Sequence, residues 1–300
     1  MNIVWAALII TVTTAAAVGL MLLVRRRAPE GSYFADGDRA AGVFGVLATG
    51  FAVLLGFIVF LAFDSYDTAR AGSEDEAVVL AQQVETAQLM PRAVRVRLTG
   101  ELVCYGRSVA GEEWDAMVAG TLADTAPNRW SDDLFRTVQR VEPASGSEQS
   151  AYDRWLDQRS ERERARNDRL HGANGVIPSP LWIVLFFLSA LLLVYMLFFA
   201  DSGEGALTQA MMMGTVAAVV TSLLLLIAFL DHPFHDGVGG LRPVAMERTL
   251  RIIDDEIIVA GVGVDPPCTA DGNERCPRRQ RDATGEPWWT VNRQPFGART

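Results

Sequence analysis

The chain has 300 residues, half of them hydrophobic, and a formal net charge of −9. It has no basic patch of the kind that nucleic acid requires, so the sequence excludes nucleic acid as a partner. The hydrophobic residues lie in four stretches without a charged side chain, each of the roughly 20 residues that a bilayer-crossing helix needs. We therefore predict an all-α membrane protein with four transmembrane helices. The stretches are roughly 3–24, 41–63, 181–200 and 208–230.

The first stretch has the composition of a signal peptide or of a membrane helix. A signal peptide has its basic residues before the apolar run, whereas Arg25, Arg26 and Arg27 follow it here. We therefore predict a retained span. Positive charge beside a span favours the cytoplasm, which puts the two termini and the long segment 64–179 outside. Arginines before the third span and after the fourth favour the opposite orientation, but long segments count for less in this rule.

The second span continues into charged sequence. No glycine or proline interrupts residues 57–70, and the following Ala-, Glu- and Gln-rich segment keeps apolar residues three and four apart. We predict one long helix to about residue 90, then helices over 92–109 and 128–141 and a mostly polar helix over 150–171. The predicted division is 1–63 for the first two spans, 64–179 for a helical extramembrane domain, 180–232 for the last two spans, and 233–300 for a tail that is partly disordered at its end.

Small residues recur at helical spacing in the spans, which lets helices approach closely. Packing within one bundle and packing between copies of the chain both fit this pattern. No Asp, Glu, Lys, Arg or His lies within a span, which argues against a proton-coupled transporter. In the second and fourth spans the small residues are Gly45, Ala48, Ala52, Gly56, Gly214, Ala218 and Ser222.

Several short motifs carry a family resemblance over about residues 1–250. The second span has Leu55-Gly56-Phe57 followed by Tyr66, Asp67 and Arg70, which resembles the pore-lining helix of the bestrophin anion channels. The wider chain resembles the bacterial bestrophin-like membrane proteins, a family of unknown function. The other matching residues are Glu76, Tyr105, Glu112-Glu113-Trp114, Arg166, Arg169, Pro233-Phe234 and Gly237.

This resemblance implies a homo-oligomer, five-fold in bestrophins, that passes small inorganic ions, most readily anions, along its second helix. The implied hydrophobic neck is Thr49, Val53 and Phe57, where Thr49 departs from the bulky apolar residue expected. The alternative for the neck is that Val53 and Phe57 face lipid or a neighbouring helix. Bestrophins keep the large domain in the cytoplasm, opposite to what Arg25 to Arg27 indicate. The alternative function is a non-conducting membrane scaffold or sensor that binds a partner through its helical domain.

The remaining chemistry-bearing residues give weaker signals. Cys104 is expected to be an isolated buried thiol, whereas Cys268 and Cys276 bracket a polar loop and can pair in an oxidising compartment. Glu112 and Glu113 point about 100° apart on a helix, so capping or interface roles are favoured over an acid–base pair. The segment 231–236 holds two His and two Asp, and an interfacial turn is favoured over a metal site. No catalytic residue, metal site or cofactor is predicted.

Overall fold

The computed structural model describes residues 3–121, 128–259 and 263–275. These residues form nine α-helices, a π-helical turn and a short 3-10 turn, with no strand among them beyond an isolated bridge between Cys268 and Glu274. The predicted all-α fold is confirmed. The helices are α1 (Ile3–Arg25), α2 (Gly37–Ala87), α3 (Arg92–Ser108), α4 (Trp114–Ala119), α5 (Arg129–Val138), α6 (Gly146–His171), α7 (Ser179–Leu197), α8 (Ala206–Asp231) and α9 (Val244–Val259); the π turn is Val109–Glu113.

Four helices, α1, α2, α7 and α8, are long and apolar enough to cross a membrane, as predicted. Helix α8 packs against both α1 and α2, and α7 contacts α2 and α8. Their shared core contains Leu55 and Ile58 of α2, Leu185 of α7 and Ile227 of α8. The four helices therefore form one bundle.

Helix α2 is a single helix of 51 residues, about 77 Å long at 1.5 Å per residue. Asp36 caps its first turn by accepting a hydrogen bond from the backbone N–H of Arg39 at 3.0 Å. The helix continues past the apolar stretch because the charged segment that follows is rich in helix formers. The prediction of one continuous helix is confirmed, with its end at Ala87.

Outside the apolar region, α2 pairs with α6. The inward residues of α6 recur every three or four positions, the spacing that gives a helix one continuous contact face. Gly72 lies at the closest approach, where a Cβ atom would be 2.6 Å from the backbone nitrogen of Arg169. A side chain there would separate the two helices. The buried inward residues of α6 are Ala151, Trp155, Gln158, Arg162, Ala165 and Arg169.

The N-terminus of α6 has a reciprocal cap. The Ser145 hydroxyl accepts a hydrogen bond from the backbone N–H of Glu148 at 3.2 Å, and the Glu148 carboxylate accepts one from Ala144 at 2.8 Å. Helices α3, α5 and α9 complete the hydrophobic core around this helix pair, with Leu102, Leu134 and Ile253 almost wholly buried. This second core is separate from that of the membrane bundle.

The cysteine prediction is wrong. Cys104 is not an isolated thiol, because it forms a disulfide with Cys268, 164 residues further along the chain. Cys276, the partner expected for Cys268, lies outside the described residues. The bond fastens segment 263–275 to α3, and the Trp130 indole donates a hydrogen bond to the Gly272 carbonyl 2.8 Å away beside it. Two cysteines in one short loop suggested the nearer partner, but tertiary packing brings Cys104 to Cys268.

Candidate ion pathway and the buried charge network

The three neck candidates lie on one side of α2 and remain uncovered in the single chain. Val53 is 55% exposed and Phe57 is 65% exposed. Thr49 is also exposed, and its hydroxyl donates to the Gly45 carbonyl one turn earlier, at 2.7 Å. Phe60 is 64% exposed and, at 100° per residue, falls between the directions of Thr49 and Val53. The uncovered face thus has a fourth residue, a large aromatic one, that the family pattern did not indicate.

The small residues divide into two groups. A Cβ atom at Gly214 of α8 would lie 3.2 Å from Val18 of α1, so Gly214 serves contact within the bundle. A Cβ atom at Gly45 or Gly56 of α2 would have no neighbouring atom within 4 Å, so no part of the described chain packs against these two positions. Ala48 and Ala218 are half-buried, and Ala52 and Ser222 are exposed.

A network of buried charged side chains joins α2, α3 and α6 at the domain core. The guanidinium of Arg169 donates from Nε to the Glu76 carboxylate at 2.6 Å, and both side chains are wholly buried. The Tyr105 hydroxyl donates to the same carboxylate at 2.5 Å. Since an unpaired buried charge is costly, these three groups depend on each other.

Glu113 is the second carboxylate of this network. It accepts hydrogen bonds from Arg169 and from Arg166, each at 2.5 Å. The π turn 109–113 adds one residue to the helical path, and Glu113 faces inward whereas Glu112 faces solvent. The expectation that the two glutamates do not share a site is consistent with this geometry, but the ion pairs of Glu113 were not predicted.

The opposite charges of Glu113 and Arg169 each favour the ionised form of the other. Burial opposes ionisation of Glu113, but the guanidinium groups of Arg169 and Arg166 outweigh it and lower the pKa of its carboxyl. Burial also opposes the charge of Arg169, yet Glu76 and Glu113 together raise the pKa of its guanidinium. Burial and the negative charge of Glu76 raise the pKa of the Tyr105 phenol well above its usual 10. At neutral pH the Glu113 carboxylate is therefore ionised and Tyr105 is a neutral donor.

A second buried guanidinium, that of Arg162, extends the network along α6. It donates to the Gln83 side-chain oxygen at 2.7 Å and lies 4.5 Å from the centre of the Tyr105 ring. A cation over an aromatic face is attracted by the ring's negative centre. Arg162 therefore anchors α6 on both α2 and α3.

Other family-motif residues hold the membrane bundle to the domain. The Tyr66 hydroxyl donates to the Gly239 carbonyl at 2.9 Å, and Trp114 packs edge-on against Phe234 with ring centres 5.2 Å apart. Pro233 is buried, its carbonyl accepts from Leu241, and the backbone N–H of Gly237 donates to His235. Arg70 forms an exposed ion pair with Glu74 one turn away.

The segment 231–236 is a turn at the end of α8, as favoured from the sequence. The buried carboxylate of Asp231 accepts hydrogen bonds from the backbone N–H groups of Val176 at 2.7 Å and Ile177 at 3.0 Å. It thereby orients the approach to α7. In the described part of the chain, no group of three or more metal-ligating side chains comes together.

The family follows from the sequence itself. A family model described as the bestrophin-like domain matches residues 11–245. The chain belongs to the bestrophin-like family. None of the curated proteins matches it.

Solved structures have the same fold as this bestrophin-like chain. A crystal structure of a bacterial bestrophin homolog from Klebsiella pneumoniae, carrying one substitution, matches with a TM-score of 0.61 and 15% identity over 85% of this chain and 98% of that one. A second variant of that homolog gives 0.61 and 17% over 84% and 98%. A crystal structure described as a membrane protein gives 0.63 and 15% over 85% and 98%. At these identities the likeness extends to the fold alone.

Proposed function

We propose that this bestrophin-like membrane protein forms a homo-oligomeric channel that passes small anions, with α2 lining the path. The observation that carries the proposal is the uncovered face of α2, where Thr49 is exposed and Val53 and Phe57 are more than half exposed in the single chain. Apolar rings of this kind gate a pore by dewetting, and the positive edges of aromatic rings favour anions without a buried cation. The open position Gly45 beside this face leaves room for a second copy.

Ion flux from liposomes tests the proposal. Phe57→Ala removes the bulkiest side chain of the neck and widens it, so we expect flux to rise by roughly tenfold, equivalent to about 1.4 kcal/mol of barrier. Phe187→Ala on α7 is the matched control because Phe187 is 63% exposed but lies outside the α2 face. Wild-type flux at background, with no change in Phe57→Ala, would contradict the channel and favour the scaffold or sensor.

The extension of the same α2 face favours a second candidate, a cation channel. Beyond the apolar stretch it carries the exposed carboxylates of Asp64, Asp67 and Asp75. Carboxylates at a pore mouth concentrate cations. The sign of the membrane potential under a salt gradient separates the two cases. A sign that reports anion permeation supports our proposal. A sign that reports cation permeation would mean that the protein is a channel for cations.

We also propose that the helical domain faces the extracytoplasmic side. Two features support this orientation: the arginines at 25–27 beside the short loops, and the disulfide between Cys104 and Cys268, since disulfides persist in oxidising compartments. In a Cys276→Ser background, an impermeant maleimide applied to intact cells should label Asp157→Cys in the domain and leave Glu30→Cys in the short loop unlabelled. The reverse labelling would put the domain in the cytoplasm.

A further inference from the structure

The short loops at the end of the bundle away from the domain form an ordered cap. The backbone N–H of Gly31 donates to the Asp201 carboxylate at 3.1 Å, and that of Tyr33 to the Phe198 carbonyl at 3.2 Å. Rings of both loops and the adjoining helix ends contact each other, among them Phe34 and Phe199 with centres 5.0 Å apart. Aromatic residues collect at the membrane interface, so this cap lies at the level of the lipid headgroups.

A cavity of about 790 Å³ opens beneath this cap. Its walls are mainly apolar, with Phe44, Met196 and Met212 among them, while Asp201 and Glu204 stand at its rim. A second cavity of about 430 Å³ shares Phe44 and Val216 with the first and runs between α2 and α8 as far as Val59. Together they form one groove, with a polar mouth at the cap and an apolar trough within the bilayer.

The mouth is rich in hydrogen-bond acceptors. In the described part of the chain neither the Asp201 nor the Glu204 carboxylate forms an ion pair; their partners are backbone N–H groups and the Gln209 amide. Gln209 is 1% exposed, and its side-chain oxygen has no hydrogen-bond partner. Two carboxylates that line the cavity without an ion-pair partner suit a cationic donor with several N–H groups.

An arginine beside the mouth holds the loop that carries these carboxylates. Arg25 donates to the carbonyl groups of Ser202 and Glu204, which fixes that loop against the end of α1.

We propose that the groove binds a phospholipid with a primary amine headgroup, with the ammonium at Asp201 and Glu204 and one acyl chain in the trough. The dimensions favour a chain over a protein segment. From Phe44 to Val59 the trough is about 22 Å long, and a helix of that length, about 10 Å across, would occupy on the order of 1,700 Å³. The trough adjoins the uncovered face of α2, so the lipid would contact the helix proposed to line the path.

The test compares lipids that differ only in the headgroup. We would reconstitute the full chain in nanodiscs containing phosphatidylethanolamine or phosphatidylcholine with identical acyl chains, because the choline ammonium has no N–H. We expect a higher midpoint of thermal unfolding with the amine lipid, and retention of that lipid through purification, measured by native mass spectrometry. The double variant Asp201→Asn, Glu204→Gln should lose the midpoint difference and reduce retention roughly tenfold.

Two further variants keep the test specific. Glu30→Gln with Asp38→Asn removes two acids at the same end of the bundle that do not line the groove, and should behave as the wild type. Val219→Trp fills the trough and should abolish retention while leaving the mouth intact. Equal midpoints in both lipids, or retention unchanged in the double variant, would overturn the proposal, as would a crosslink from Val219→Cys to a helix of a second copy. None of these readouts requires conduction.

Discussion

The two halves of α2 have the same backbone and opposite surroundings. In the domain half, Glu76, Leu80 and Gln83 are wholly buried against α3 and α6. In the membrane half, Val53, Phe57 and Phe60 are more than half exposed. The domain half reaches its final packing within one chain, whereas the membrane half leaves an apolar face for lipid or for another copy.

The difference extends to the kind of interaction used. The domain half depends on paired charges around Arg169, whose removal would leave carboxylates buried without a partner. The apolar stretch 41–63 of the membrane half has no ionisable side chain and depends on close contact between small and apolar residues. Substitutions that remove a charged partner should therefore destabilise the domain. Substitutions that enlarge a small residue should affect the packing and assembly of the membrane half.

The largest expected effect is on the charge network. Arg169→Met leaves Glu76 and Glu113 buried without their shared guanidinium, so we expect a loss of about 3–5 kcal/mol in the free energy of unfolding of the domain. Hydrogen exchange of α2 and α6 in detergent measures it. Arg154→Met, at an exposed position of the same helix, should change stability by less than about 0.5 kcal/mol. Equal effects of both would refute the assigned role of Arg169.

The disulfide gives the next effect. Cys104→Ser releases segment 263–275 from α3 and should cost about 2–4 kcal/mol, measured as the unfolding midpoint in the absence of reductant. Adding reductant should then have no further effect on this variant. Cys276→Ser should leave the wild-type midpoint and its response to reductant unchanged. Loss of the disulfide in Cys276→Ser would instead support the pairing of Cys268 with Cys276 that was expected from the sequence.

The two glycine groups test the membrane half. Gly214→Leu overpacks the contact between α8 and α1 and should destabilise the bundle by about 1–3 kcal/mol. Gly45→Leu meets no atom of its own chain, so its subunit should unfold as the wild type does while the mass of the oligomer falls. Thermal unfolding and light scattering of the same samples measure both. A stability loss in Gly45→Leu would mean that its face is covered within one chain.

The smallest effect is a pH dependence. The pKa of Glu113 is lower in the folded chain than its ordinary 4.5, so its contribution to stability is present above pH 4.5 and is lost as the pH falls through the folded value. We expect the unfolding midpoint of the wild type to decrease in this acid range. The midpoint of Glu113→Gln should be lower than that of the wild type at neutral pH and should decrease less on acidification. Parallel curves for the two proteins would exclude Glu113 as a source of the acid sensitivity.

The sequence was sufficient for the spans and the long helix, because continuous apolar composition and helix formers act locally. It was insufficient for the pairing of α2 with α6. Residues 150–171 look polar throughout. The face formed by Trp155, Arg162 and Arg169 was missed because arginine is normally expected at the surface and not in a buried core. The seven-residue spacing of these three residues is the signal that could have identified this face.

Two other features depend on long-range contacts. The disulfide joins residues 164 positions apart, a pairing that spacing alone does not indicate. The inward direction of Glu113 depends on the π turn, for which Gly111 is the only local sign. By contrast, the family resemblance placed Thr49, Val53 and Phe57 on one face of the second helix, and the partner that we propose for this face is another copy of the chain.

Cryo-electron microscopy of the full chain in lipid nanodiscs tests the central claim most directly. Our account predicts a closed ring of copies in which the α2 helices surround a central axis and Phe57 faces that axis. A monomer, or a dimer in which Phe57 faces lipid, would contradict the proposed path along α2.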